Sequence, residues 1–389
     1  MAGLNSAPRR VLFLDYTNGI GLGGGQRSLQ LLLDQLDRER YHLSLACPRG
    51  EQLLDGLPPD VEVHPIELPQ EFRSLSRRGG GWRHMAASVP GMVALRRRWA
   101  EVVERARPHI IHANNLKMLF LSSLAAPGVR CPRLWHVRDI LPRTAMTRAL
   151  QHTGARLATR VLAVSQAVAR QLPARRATEV LYNAVRLPDP ARFERLRGEF
   201  RAAHGIAPEA CLIGYAGRLD AGKGLEVLLN AFCRLGARHP HAELLLAGQG
   251  PMEEPLRRLA AGRIDPHRIR FAGFQREMEP LWSALDIAVV PSTEPDSFPR
   301  SAVEAMSFRL PVVGADSGGI GEAIVPGESG FLVPPGEVAE LAKVLSLLAL
   351  DAGLRRAQGE AGRRRCERLF SAPVQARRLE GIYEEVLKD

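Results

Sequence analysis

The chain has 389 residues, 45% of them hydrophobic, and a formal net charge of +11. One ordinary core cannot serve so long a chain, so two domains are expected, and no apolar run reaches the ~18–20 residues that cross a bilayer. Cys47, Cys131, Cys211, Cys233 and Cys366 stand singly, which excludes a disulfide framework and a zinc-ligand pattern and points to a reduced, cytoplasmic setting.

The opening residues, MAGLNSAPRR, hold no apolar run of the kind found in a secretory leader, in line with that setting. Residues 11–16 then read as an apolar strand. A glycine-rich turn over 19–25 follows, and Leu29, Leu32, Leu33 and Leu36 repeat at helical spacing. Strand-like runs recur at 42–47, 61–66, 109–113, 133–137, 160–164 and 178–182, several with helical patterns between them. This alternation predicts a parallel, doubly wound α/β sheet. Gly19-Ile20-Gly21-Leu22-Gly23-Gly24 is a literal GxGxxG, but a dinucleotide site also wants an acidic residue ending the second strand. Here that strand ends Ala46-Cys47-Pro48-Arg49, which disfavours NAD and leaves an NADP-dependent oxidoreductase, using Arg49, open. Arg77, Arg78, Trp82 and Arg83, then Val93, Leu95, Arg96, Arg97, Arg98 and Trp99, form a basic amphipathic stretch. It reads equally as a face for anionic lipid headgroups, giving peripheral membrane contact, and as a solvated helix.

Leu187-Pro188-Asp189-Pro190 interrupts the pattern and reads as a linker. A second strand series follows at 212–216, 242–246, 269–272, 287–290 and 310–313, with a helical pattern over 223–235. From about 336 the chain is helical and rich in arginine. The expected organisation is one Rossmann-like domain over 1–187, a second over 188–370, and a C-terminal helix over 371–389 turned back toward the first. A ligand site is expected in the cleft between two such domains. Only Lys117, Lys223, Lys343 and Lys388 are lysines, so the positive charge is an arginine bias, read as compositional; no nucleic-acid partner is expected.

Two segments of the second half carry chemistry. Gly217-Arg218-Leu219-Asp220-Ala221-Gly222-Lys223-Gly224 nearly matches the phosphate-binding pattern GxxxxGK[ST], except that Gly224 stands where a magnesium-ligating hydroxyl belongs. That argues against a nucleotide hydrolase. Two cations beside a helix N-terminus still suit a diphosphate. In the second segment, the strand 287–290 runs into a Pro-rich acidic loop with Glu294, Asp296, Ser297, Phe298 and Pro299. A helix with Arg300 and Glu304 follows, then the turn Ser317-Gly318-Gly319. Such a set at the carboxyl end of a strand makes a polar-ligand site. The bland alternative for Glu304 is a carboxylate placed early in a helix for the helix dipole. No cluster suggests a metal.

The second segment resembles the donor-sugar signature of retaining glycosyltransferases of the two-domain GT-B fold, in particular glycosyltransferase family 4: two acidic residues eight positions apart with Phe two after the first, here Asp296, Phe298 and Glu304. The likeness covers roughly residues 10–385 and is strongest over 212–335. Asp296 replaces the usual Glu, leaving Glu294 as a rival sugar contact, and Pro299 replaces the commoner Gly. The resemblance implies a sugar transferred from a nucleoside-diphosphate donor to an acceptor hydroxyl, whether polysaccharide, lipid-linked or small-molecule, without a metal or other cofactor. It implies Arg218 and Lys223 on the diphosphate, Glu304 on the ribose, Asp296 on the transferred sugar with Ser297 and Phe298 beside it, Gly24 and Gly25 facing the phosphates, and His136 beside the sugar. Val164-Ser165 and Tyr182-Asn183 match further family landmarks and read equally as a helix cap and a turn. A nucleotide-sugar epimerase on the same fold is the nearest enzymatic alternative.

Overall fold

The computed structural model describes residues 7–16, 22–68, 89–124, 130–173 and 178–388. The chain divides into two compact units, Met1–Ala184 with Gln375–Asp389, and Val185–Val374.

The first unit is built on seven parallel strands: β1 (Arg9–Leu14), β2 (Tyr41–Cys47), β3 (Glu62–Pro65), β4 (Ile110–Ala113), β5 (Arg133–Val137), β6 (Arg160–Ala163) and β7 (Thr178–Val180). Their order is β3-β2-β1-β4-β5-β6-β7. The winding therefore reverses between β1 and β4, which pair from Val11 opposite Ile110 to Leu14 opposite Ala113. Continuous apolar runs make these strands because the sheet is covered on both faces. Val11, Leu12, Phe13 and Leu14 have no exposed surface. β1 opens two residues before the expected start, because Arg9 already pairs with Tyr41, and ends at Leu14, one residue before buried Asp15.

The helix Val89–Ala106 buries Leu95, Trp99, Val102 and Ala106, a stripe at helical spacing. Arg96, Arg97 and Arg98 are exposed, and Arg98 Nη1 pairs with Glu67 Oε2 at 2.5 Å. Trp99 is thus a core residue and not the aromatic part of a lipid-facing patch. Arg77, Arg78, Trp82 and Arg83 lie outside the described residues, as do Gly19, Ile20 and Gly21 of the GxGxxG match. No described helix is long and apolar enough to cross a membrane. The last helix, Ala372–Lys388, lays Tyr383 edge-on against Tyr41, with ring centroids 5.6 Å apart. Its Glu380 accepts from the Asp37 N–H at 2.9 Å.

The second unit holds six parallel strands: β8 (Cys211–Ala216), β9 (Ala242–Ala247), β10 (Ile269–Gly273), β11 (Ile287–Val290), β12 (Val312–Ala315) and β13 (Gly330–Val333), ordered β10-β9-β8-β11-β12-β13. The reversal falls between β8 and β11. β12 begins two residues beyond the expected start. Pro311 has no N–H to give the ladder, so it supplies only its carbonyl, to Ala288 N–H, and the pairing with β13 opens at Val312. The edge strand β13 has no counterpart in the expected series. Arg201 and Arg197 clamp Asp286, at 2.7 and 2.8 Å, and Asp286 also accepts from Leu212 N–H, tying the start of β11 to β8.

Candidate functional site

In a doubly wound sheet the carboxyl ends of the two strands at the reversal splay their loops apart, and ligands bind there. The chain has two such places, one in each unit.

In the second unit the place is set by β8 and β11. β8 runs into the loop 217–224, which opens the helix Leu225–Leu235, and β11 runs into 291–299, which opens the helix Arg300–Ser307. The loops are stitched together: the N–H groups of Thr293 and Glu294 donate to the Gly222 carbonyl at 2.9 and 3.1 Å. Two glycines permit the close approach. Gly224 sits at φ +70°, and a Cβ there would come within 1.8 Å of the Pro291 carbonyl oxygen; Gly318 sits at φ +60° with the Asp296 carbonyl oxygen 2.1 Å from such a Cβ. The Asp296 carbonyl accepts from Gly319 N–H at 2.7 Å, which brings the 317–319 turn into the same wall.

The charged side chains on this wall are matched to one another. Lys223 Nζ lies 2.7 Å from Asp296 Oδ2. Arg218 Nη2 is 2.6 Å from Asp220 Oδ2, and its side chain is 68% exposed. Arg300 Nε is 2.5 Å from Glu304 Oε1. Glu294 is exposed and its carboxyl group lies over Gly222, close enough that a Cβ on that glycine would meet it at 2.6 Å. So Asp296, not Glu294, is the carboxylate joined to Lys223. Tyr215 O–H donates to the Arg218 carbonyl at 2.8 Å and braces the loop. Burial, and then Asp296 and Asp220, push its pKa up, so it stays neutral. Ser297 is half-buried beside Asp296. Phe298 is 3% exposed and its ring packs 5.4 Å from Phe370, which makes it a core residue of the unit.

In the first unit the place is set by β1, β4 and β5, and the groups there are buried and mostly neutral. Asp15, just past β1, accepts from Gln26 Nε2 at 3.1 Å, Asn114 Nδ2 at 3.1 Å and Asn115 Nδ2 at 3.3 Å. Burial raises its pKa against these hydrogen bonds and the charge of Arg138. Arg138, just past β5, donates from Nε to Asn114 Oδ1 at 2.5 Å and from Nη1 to Asn183 Oδ1 at 2.8 Å. Gly24 and Gly25 open the helix Gly24–Gln35, and a Cβ on Gly25 would meet Arg138 Cδ at 2.8 Å, so this glycine makes room for the arginine.

His136 points inward from β5 and has no exposed surface. Its Nδ1 is 3.3 Å from Arg138 Nη2 and 3.3 Å from His112 Nε2, and His112 Nδ1 is 2.8 Å from Tyr383 Oη. Burial first, then Arg138, brings His112 down to about 3; burial, Arg138 and His112 hold His136 well below its ordinary value. Both rings are neutral at physiological pH. Of the expected residues, Arg218, Lys223, Asp296, Ser297 and Glu304 lie on the two loops and one helix at the reversal of the second unit. Gly24, Gly25 and His136 lie at that of the first. Asp15, Asn114, His112 and Tyr383 were not anticipated. The polar residues directly after β1 and β4 were the available signal for the first two.

Two family models match: that of Glycosyl transferases group 1 over residues 197–365 and that of Glycosyltransferase Family 4 over residues 22–187. The alpha-D-kanosaminyltransferase of Streptomyces kanamyceticus is 30% identical over 217 residues, 56% of this chain and 56% of that protein. The sulfoquinovosyl transferase of Arabidopsis thaliana is 30% identical over 303 residues, 72% of this chain and 57% of that protein. The matches thus span a little over half the length of these curated relatives. Among solved structures, HepE of Anabaena in complex with UDP has a TM-score of 0.77 at 23% identity, covering 97% of this chain and all of that one, a likeness of fold.

Proposed function

Since this chain belongs to the GT-B glycosyltransferases of the family 4 type, we propose that it transfers a sugar from a nucleoside-diphosphate donor to an acceptor hydroxyl, with retention at the anomeric carbon. The observation that carries this is Lys223 joined to Asp296 at 2.7 Å, with Arg218 on the same loop, at the strand reversal of the second unit. A cation and a carboxylate side by side suit a ligand with a diphosphate at one end and sugar hydroxyls at the other.

In this reading the bond from the anomeric carbon to the diphosphate oxygen breaks as the acceptor oxygen attacks from the same face. The acceptor's proton passes to the departing diphosphate. Arg218 and Lys223 stabilise the charge that grows on the leaving group, the task a metal ion would otherwise have. Asp296 accepts from hydroxyls of the sugar and Glu304 from the vicinal hydroxyls of the ribose. Their present partners, Lys223 and Arg300, are exchanged for ligand atoms on binding. HepE was solved with UDP, which makes uridine the first nucleoside to test. An oxidoreductase or an epimerase is not favoured, as both matching families are glycosyltransferases. Among the described residues, a lipid-linked acceptor at the inner face of the membrane would have exposed Arg96, Arg97 and Arg98 to rest on, with Trp99 in the core.

The test is a thermal-shift panel of UDP, GDP and ADP with their sugars, followed by donor turnover with and without EDTA. One nucleoside diphosphate should raise the melting temperature, and turnover should persist in EDTA. No response to any of them would overturn the donor assignment. Loss of turnover in EDTA, restored by Mg²⁺ or Mn²⁺, would overturn its metal independence.

A further inference from the structure

The first unit carries a chain of side chains that crosses from the C-terminal helix to the carboxyl edge of the sheet: Tyr383, His112, His136, Arg138. The proton positions along it follow from one fact. A guanidinium nitrogen only donates. Arg138 Nη2, 3.3 Å from His136 Nδ1, therefore makes that nitrogen an acceptor, and the hydrogen of the neutral ring sits on Nε2. His112 Nε2 also faces His136 Nδ1, at 3.3 Å, so it must donate. That leaves His112 Nδ1 bare, and Tyr383, at 2.8 Å, must give it the phenolic hydrogen. The opposite arrangement would set two donors against each other at His136 Nδ1.

The surroundings fit this order. His112 stacks on Phe13 with centroids 4.9 Å apart, which fixes its plane. Burial, with Tyr41 and Glu380 nearby, keeps the Tyr383 phenol protonated. Among the described residues His136 Nε2 has no hydrogen-bond partner, so its hydrogen is placed by the two donors at Nδ1. Arg138, half-buried, is the member that reaches the sheet edge beside Gly25.

We propose that Tyr383 is a positioning residue: by donating to His112 Nδ1 it supports the tautomers of His112 and His136 that Arg138 requires, and so helps hold Arg138 at the carboxyl edge of the first unit. This rests on the glycosyl-transfer reading for its effect on rate, but not for its effect on the rings. Which ring nitrogen holds the hydrogen is governed by the partner of the other nitrogen. Removing one hydroxyl should therefore act at a distance along the chain.

The experiment uses the full chain labelled with ¹⁵N-histidine, read by two-bond ¹H–¹⁵N correlation at neutral pH and assigned by substitution of single histidines. His112 and His136 should both be neutral with hydrogen on Nε2. In Tyr383→Phe the His112 Nδ1 signal should move most. Turnover of UDP-glucose should fall on the order of tenfold, less than the hundredfold that misplacing a reacting group by an ångström can cost, while UDP binding by calorimetry stays within about twofold. Hydrogen on Nδ1 of either ring in the unaltered protein would overturn the proposal. So would a Tyr383→Phe protein with unchanged histidine signals and unchanged kcat. Should Tyr383→Phe fail to fold, Arg138→Gln reads the chain from its other end. It must free His136 from its tautomer, and unaltered ring signals there overturn the order of donors. UDP-glucose inert with the unaltered protein would count against the donor reading, and the tautomers would still decide the chain.

Discussion

The carboxyl edges of the two sheets solve opposite problems. At the second unit's edge the groups are charged, partly exposed and paired in twos: Lys223 with Asp296, Arg218 with Asp220, Arg300 with Glu304. At the first unit's edge they are buried and linked in a line, with neutral Tyr383, His112 and His136 leading to Arg138. A partly exposed ion pair is worth little, about 0–1 kcal/mol, so a ligand can take it apart cheaply. A buried line of hydrogen-bonded groups is costly to break at any member. On the proposed function, the difference separates a surface that would trade partners with a ligand from a scaffold that would hold one side chain still.

The sharpest way to break this comparison is to remove the tradable cations. Lys223→Ala and Arg218→Ala should each lower kcat/KM by ~10²-fold or more, on the scale of losing one donor to a developing oxyanion. Steady-state kinetics with the donor found in the thermal-shift panel checks this. Unaltered kinetics in both variants would remove the diphosphate from the second unit. Asp296→Asn probes the pair from its other side. It should lower kcat, since an acceptor for the sugar is weakened. It should also tighten UDP by up to about fivefold, because up to about 1 kcal/mol no longer holds Lys223 to a carboxylate. Calorimetry with UDP reads the second effect, and weaker UDP binding would show that the pair supports the site and does not compete with the ligand.

Much of the second edge could be read in the chain and little of the first. Ile287–Val290 was located to the residue, and Arg218, Lys223, Asp296 and Glu304 fall on two loops and a helix that follow their strands directly. Local sequence carries such a site because strand, turn and helix N-terminus are neighbours in the chain. The line in the first unit joins His112 to a tyrosine 271 positions away, and no local pattern could place them together. Burial misled in two cases. Phe298 lies within the donor motif but faces Phe370 in the core. Trp99, read among arginines equally as part of a lipid-facing helix and of a solvated one, is the core-facing part of that helix. Composition gives the residues on a helix, and only the packed fold decides which face is covered.

Glu304→Gln sharpens the picture further. Its carboxylate now faces Arg300, at 2.5 Å, on a helix that starts at the sheet edge. If it binds the ribose, the contact exists before and during reaction alike, so the donor KM should rise about tenfold with kcat little changed. That corresponds to the ~1.5 kcal/mol of a hydrogen bond to a charged group. A fall in kcat at constant KM would move Glu304 from the ribose to the reacting sugar.

The smallest expected effect lies in the first unit and concerns pH. His112 is held to about 3, and His136 well below its ordinary value of 6.5, chiefly by burial. In the unfolded chain both would bind a proton as the pH falls through about 6.5, whereas in the folded chain they do not. The unfolded state then holds more protons, so stability declines on acidification, by at most ~1.4 kcal/mol per pH unit for each ring, and for His112 down to about pH 3. Asp15 acts in the opposite sense. Its raised pKa lets the folded chain keep a proton above 3.8 that the unfolded chain has released, offsetting part of the loss toward the acid end. Urea midpoints between pH 7.5 and 5, on the unaltered protein and on His112→Gln, measure the slope. The variant should start less stable at neutral pH, because Tyr383 and His136 lose the ring between them, yet decline less steeply with acid. Equal slopes would mean that His112 takes up a proton without unfolding, and the line from Tyr383 to Arg138 would then not be a rigid one.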